Sequence, residues 1–262
     1  MKLLIDGREV FAAGRLAGEG RRLIVFLHGA GMDHSVFAMQ SRWFASRGFD
    51  VAALDWPGHG RSQGPPLASI AALADWTAMA IAACGAARAV LVGHSMGALA
   101  ALDCAARHGD RVEALALLGA AARMPVHPDM LASAARNGEE AIAMVSLWGL
   151  GAPGVQGGAP APGQWMLGAI RRLIEASPRG ALHASLAACD SYGDATPAAR
   201  QVACPTLVLS GERDLMTPAK GGRALAAAIA GARFETIPGA GHMMMIERDG
   251  ETLAALRRFV GV

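Results

Sequence analysis

Ala89-Val90-Leu91-Val92-Gly93-His94-Ser95-Met96-Gly97-Ala98-Leu99-Ala100-Ala101 is the stretch that decides how this chain folds. Four apolar residues of strand length lead into Gly93, and a run of helix formers leaves Gly97. Between them a serine sits at a sharp strand-to-helix turn, the G-x-S-x-G pattern in the setting that pattern requires. Such a turn crowds the serine backbone, so the residues two positions away must lack bulk. Gly93 and Gly97 meet that need. The hydroxyl then projects above the sheet. The N–H of Met96, at the helix N-terminus, points to where negative charge could develop. Read alone, the pentapeptide also fits a glycine-punctuated turn with an idle serine, so the rest of the chain has to decide.

Outward from this turn, strands and helices alternate in both directions. Residues 2–5 and 9–13 read as a hairpin about Asp6-Gly7. Leu23-Ile24-Val25-Phe26-Leu27 and Val51-Ala52-Ala53-Leu54 are uninterrupted apolar runs, the pattern of parallel strands covered on both faces. Helices are expected over 35–47, stopped by Gly48, and over 67–84. Residues 112–118 form another apolar strand. There the alternation breaks. Residues 123–196 hold helical patches at 139–148, 164–175 and 180–189 and no convincing strand. Residues 149–163 are rich in glycine and proline, a long mobile loop by composition, of the kind that often serves as a lid. The rhythm returns with a strand at 205–210, a helix at 219–230, a strand at 233–237 and a helix at 250–260. The expectation is one mostly parallel α/β core, residues 1–122 and 197–262, interrupted by a helical insertion at 123–196.

Composition narrows the function classes. The chain has 262 residues, 53% apolar and 18% charged, with net charge +2, which suits a globular domain with a full core. Basic residues occur at most in pairs, as at Arg21-Arg22, Arg171-Arg172 and Arg257-Arg258, so no nucleic-acid stripe exists. The start, Met1-Lys2-Leu3-Leu4-Ile5-Asp6, is charged too soon for a secretory signal, and no apolar run is long enough for a bilayer. Cys84, Cys104, Cys189 and Cys204 lack metal-ligand spacing and read as reduced core residues. A cytoplasmic protein without nucleic-acid or membrane partners is expected.

In open α/β sheets the site lies beyond the carboxyl ends of the strands. His28 and the backbone of Gly29 and Ala30 follow the first long strand, Asp55 the second, and Ser95 the elbow strand. No acid follows Leu118. Gly211-Glu212-Arg213-Asp214 and Gly239-Ala240-Gly241-His242 follow the last two strands. A serine, an acid and a histidine thus meet at one rim in the chain order that belongs to this elbow. Asp214 competes with Glu212 and Asp194 for the acid. His28 and His94 read as braces of nearby backbone, and Asp55 and His59 as organisers of their own loop.

With His28-Gly29-Ala30-Gly31, Asp55 to Ser62, Gly93 to Gly97, Gly211 to Asp214 and Gly239 to His242 in this order, the chain resembles the α/β-hydrolase-fold family, in its lidded, esterase-like form. The resemblance runs over nearly the whole chain. It implies an eight-stranded, mostly parallel sheet with helices on both faces and a helical cap after the sixth strand. It implies Ser95 as nucleophile, His242 as base and Asp214 as the acid that orients it. The N–H groups of Ala30 and Met96 would form the oxyanion hole. No metal or cofactor is called for.

The expected partner is a small-molecule substrate, with the oligomeric state left open. The expected reaction is hydrolysis of a carboxylic ester or thioester of a small to medium apolar acyl group through an acyl-enzyme. Gly31, Trp148, Trp165 and Met243 are the expected substrate contacts. A carbon–carbon bond hydrolase of aromatic ring cleavage is a rival, although Met243-Met244-Met245 follow His242 where many such enzymes carry tryptophan. A binding protein that keeps the fold is a second rival, against which a complete triad argues. Epoxide hydrolase chemistry calls for an aspartate nucleophile and two lid tyrosines, and Tyr192 is the only tyrosine.

Overall fold

The central strands send alternate side chains into two cores. In β5 (Ala89–His94), Ala89 and Leu91 enter one apolar cluster and Val90 and Val92 the other. In β3 (Leu23–Leu27), Leu23, Val25 and Leu27 face one side and Ile24 and Phe26 the other. A strand covered on both faces needs an apolar residue at every position, which is why these stretches read as continuous apolar runs. Each fully buried Val or Leu contributes about 1.5–3 kcal/mol relative to exposure. The computed structural model describes residues 1–18, 20–152 and 165–262.

The sheet has eight strands in the order β1-β2-β4-β3-β5-β6-β7-β8. β1 (Lys2–Ile5) and β2 (Arg8–Arg15) form the expected hairpin, and β2 runs antiparallel to β4 (Asp50–Leu54). From β4 onward every pairing is parallel, through β3, β5, β6 (Val112–Leu118), β7 (Thr206–Gly211) and β8 (Arg233–Ile237). All the parallel strands therefore end on one rim, with β5 between β3 and β6.

On one face lie α2 (Ile70–Ala83), α3 (Met96–Arg107) and α9 (Ala219–Ala228). On the other lie α1 (Ala38–Ser46) and α11 (Asp249–Val260), joined by the short α10 (Met244–Glu247). Between β6 and β7 the chain forms α4 (Pro128–Ala135), α5 (Glu139–Trp148), α6 (Met166–Glu175), α7 (Ala181–Tyr192) and α8 (Thr196–Ala199). α4 packs on α5 and α7, while α7 and α8 rest on α3. Most of the expected glycine- and proline-rich loop, from residue 153 onward, lies outside the described residues.

Several elements differ from the sequence reading. The short α8 and α10 were not expected, nor was α4, which lies outside the helical patches at 139–148, 164–175 and 180–189. Proline fits the first helical turn, where its missing N–H has no partner to lose, and Pro128 opens α4. The helix expected from residue 35 begins as a 3-10 turn, His34–Phe37, capped by Asp33, before α1. The helix expected from residue 67 starts at Ile70, because Ser69 is extended and its side chain accepts the Ala72 N–H. Among the described residues no helix is long and apolar enough to cross a membrane.

Candidate active site

Ser95 stands between β5 and α3 with φ 54° and ψ −116°, a left-handed backbone that non-glycine residues rarely adopt. Its N–H donates to Leu118 O at 2.9 Å, which ties the turn to the end of β6. The two glycines are needed for space. A Cβ on Gly97 would run into the carbonyls of Leu27 and His28, and one on Gly93 into the backbone of Gly97 and Ala98.

Asp214 follows β7 in a tight turn. Its Oδ1 accepts the N–H groups of Met216 and Thr217, both at 2.8 Å, and its Oδ2 accepts the Thr217 hydroxyl at 2.7 Å. His242 Nδ1 donates to the same Oδ2 at 2.9 Å. Burial opposes the charge of Asp214, but His242 and the Thr217 donors outweigh it and hold the carboxyl below its ordinary range. With Nδ1 carrying the proton toward Asp214, Nε2 is left as the basic nitrogen.

Ser95 and His242 line one cavity of about 400 Å³. Among the described hydrogen bonds none joins Ser95 Oγ to His242; serine–histidine contacts are often long in ligand-free structures and tighten when substrate binds. Gly119, at the end of β6 with φ 58°, gives the imidazole its seat: a Cβ there would lie 3.0 Å from both Cε1 and Nδ1 of His242.

The rival acids lie elsewhere. Exposed Glu212 accepts the Gly239 N–H at 2.8 Å, and Asp194 pairs with Arg123 at the surface. Ala30 lines the cavity, and Met96 occupies the first position of α3. Of the four expected substrate contacts, Trp148 and Met243 line the cavity. Gly31 and Trp165 do not. Gly31 is covered by Leu182 of α7, and Trp165 is 66% exposed with its ring over Gly168 of α6, the helix it caps. Tyr192 is also absent from the lining; its hydroxyl donates to Asp103 Oδ1 at 2.8 Å and ties α7 to α3.

The other histidines act as braces. His28 Nε2 accepts the Trp56 N–H at 3.2 Å and its Nδ1 donates to Gly29 O at 2.9 Å. Burial pushes its pKa down to about 3, so it is neutral. His94 Nε2 donates to the backbone oxygen of His242 at 3.0 Å. His59 joins the 55–62 loop to Ser185 of α7 at 2.8 Å, so it reaches beyond its own loop. Asp33, His34 and Asp55 lie close enough to suggest a metal site. Asp55 is already committed to the N–H and Nδ1 of His34 and the N–H of Arg61, all at 2.8 Å, which makes it a loop brace.

The sequence reading missed Thr217, whose place three residues after an acid in a turn is the available signal. It also missed the cavity wall from Met124 to Pro128 and its continuation through Met130, Val145 and Leu186. Among the described residues lining the cavity, none is Lys, Arg, Asp or Glu; His127 and the Cys189 thiol are the titratable groups besides His242.

Residues 24–256 match the family described as "Alpha/beta hydrolase family". The chain is 31% identical over 248 residues to the pimeloyl-[acyl-carrier protein] methyl ester esterase of Chromobacterium violaceum, covering 89% of this chain and 92% of that one. Among solved structures, the enol-lactonase of Burkholderia xenovorans LB400 is similar over the full length of both chains, with TM-score 0.89 and 30% identity. A thermophilic esterase of Thermogutta terrifontis is similar with TM-score 0.85 and 26% identity, over 99% of this chain and 97% of that one.

Proposed function

This chain belongs to the alpha/beta hydrolase family, and on that premise we propose that it is a serine hydrolase cleaving carboxylic esters with small to medium, uncharged acyl groups. The observation that carries the reading is the Asp214–His242 hydrogen bond of 2.9 Å beside Ser95, with the serine and histidine facing one apolar cavity. Ser95 Oγ attacks the ester carbonyl carbon as His242 Nε2 takes its proton. Asp214 keeps the imidazole in the right tautomer and stabilises the imidazolium. The N–H groups of Ala30 and Met96 receive the oxyanion, and one such donor is worth about 3 kcal/mol in the transition state. The imidazolium returns its proton to the departing alcohol, leaving Ser95 acylated. Water then attacks, giving its proton to His242, and the acid leaves as Ser95 Oγ regains the proton.

Residues 123–196 act as a lid in this reading. Met130 of α4, Val145 and Trp148 of α5, and Leu186 and Cys189 of α7 lie in the cavity wall, which supports it. The apolar wall favours uncharged acyl groups, because burying an unpaired carboxylate is costly. The test is turnover across aryl and alkyl esters of graded acyl length, with Ser95→Ala as control. Hydrolysis lost in Ser95→Ala, with stability within about 1 kcal/mol, is the expected result.

A further inference from the structure

Glu247 ends α10, five residues after His242, and is only 2% exposed. A carboxylate is seldom buried unless its oxygens are hydrogen-bonded. Both are, by backbone donors from separate parts of the chain. Oε1 accepts the Gly241 N–H at 2.9 Å and Oε2 the Gly151 N–H at 2.8 Å. The two backbones approach so closely that no side chain fits between them. A Cβ on Gly151 would lie 3.0 Å from Gly239 O and Gly241 N, and one on Gly241 would run into Gly151 N. Met243 N–H adds a link to Gly149 O at 3.0 Å. His242 thus sits in a span whose backbone is tied at each residue: Gly241 by Glu247, His242 by His94, Met243 by Gly149.

We propose that Glu247 is a positioning residue for the hydrolytic reaction: by joining Gly241 to Gly151 it fixes the backbone that carries His242, and so aims the imidazole between Asp214 and Ser95. The inference rests on the reading of His242 as general base. The ionised form is the one that fits, since a carboxylate accepts from both N–H groups, whereas a protonated acid turns one oxygen into a donor. Burial pushes the Glu247 carboxyl above the usual carboxylate range, against the backbone N–H groups of Gly151, Gly241 and Met243 and the charge of Arg248. Arg248 donates to the Glu247 backbone oxygen at 3.1 Å. The segments 149–151 and 239–241 contribute no charged side chain, and α1 presents to α10 the amide of Gln40, which donates to Met245 O.

As pH falls through its raised value, Glu247 gains a proton and comes to resemble glutamine. The experiment measures kcat and KM of wild type and Glu247→Gln from pH 8 to pH 5 on a neutral ester. At pH 8 the variant should have kcat about tenfold lower with KM within about twofold, the signature of a misaimed base. The wild-type to variant ratio should then shrink toward one as pH falls. Equal kcat at pH 8 in a folded variant overturns the proposal, and so does a ratio that stays constant with pH. If Glu247→Gln does not fold, the amide proton shifts of Gly151 and Gly241 in the wild type carry the test. They should titrate together, with one midpoint above the ordinary glutamate range; separate or absent titration overturns it. Ser95→Ala run alongside separates the two readings: residual turnover there defeats the serine mechanism, whereas an inert Ser95→Ala with an unaffected Glu247→Gln defeats only the role of Glu247.

Discussion

His94 Nε2 donates to the backbone oxygen of His242 at 3.0 Å, and the two rings stand 4.6 Å apart between centroids. The residue before the elbow serine therefore holds the loop that carries His242, the proposed base, and this bond is one of the contacts that place it relative to Ser95. His94 is fully buried and its Nδ1 has no hydrogen-bond partner among the described residues. Burial, with the neighbouring His242 adding to it, keeps its pKa well below the ordinary value, so the ring is neutral and Nε2 carries the hydrogen.

His94→Ala should lower kcat about tenfold or more, because an orphaned carbonyl lets the His242 loop relax. It should also destabilise the fold by about 1–3 kcal/mol through the unsatisfied buried acceptor. His94→Gln, which keeps a donor, should lose less of both. Steady-state kinetics with a denaturant titration checks this; a His94→Ala kcat equal to wild type would show that the contact does not aim the base.

Gly119→Ala tests the seat of the imidazole. The new methyl would sit 3.0 Å from the His242 ring, at a backbone φ of 58° that disfavours any side chain. Expected is a fall in kcat of about a hundredfold, with about 1–3 kcal/mol of stability lost. Retained activity would mean the ring can move without loss of function.

Acid stability follows from His28. Its ordinary pKa of 6.5 falls to about 3 in the folded protein, chiefly through burial. Between these values the unfolded chain binds a proton that the folded chain does not, so stability drops as pH falls below 6.5. At pH 5 the loss from this one residue is about 2 kcal/mol. Urea midpoints measured from pH 7.5 to pH 5 should decline; a flat profile would contradict a neutral buried His28.

Neutral esters should be preferred over carboxylate-bearing analogues of equal length by at least about tenfold in kcat/KM, which is about 1.4 kcal/mol. Arg123, Arg171 and Arg172, the candidate grips for a charged acyl group, lie outside the cavity lining and are paired. Arg171 bonds Glu175 and Glu139, Arg172 bonds Glu175, and Arg123 bonds Asp194. A preference for the charged analogues would require one of these pairs to open toward the substrate.

The sheet was legible in the sequence because strands buried on both faces must be apolar where they are covered, as β3, residues 51–54 of β4 and residues 89–92 of β5 are. The elbow was legible because the turn at Ser95 admits nothing larger than glycine at positions 93 and 97. Asp214 could be ranked above Glu212 only by resemblance; the geometry separates them, since an i to i+3 turn with Thr217 points one carboxylate inward while Glu212 faces solvent. Gly31 was expected at the substrate as part of the His28–Gly31 motif, and Trp165 as an apolar residue of the insertion's helical patches. Proximity in sequence does not say which way a residue faces, and one lies under Leu182 while the other is turned outward over Gly168. The roles of Glu247, Gly119 and Gly149–Gly151 were not legible, because they arise from backbone segments about a hundred residues apart meeting around His242.

The central claim, that Ser95 is a nucleophile activated by His242, is tested most directly by covalent labelling. A fluorophosphonate probe should add one adduct per chain, mapped by peptide mass spectrometry to Ser95, with labelling abolished in Ser95→Ala and greatly slowed in His242→Ala. An adduct on another residue, or labelling that persists unchanged in Ser95→Ala, would contradict the account.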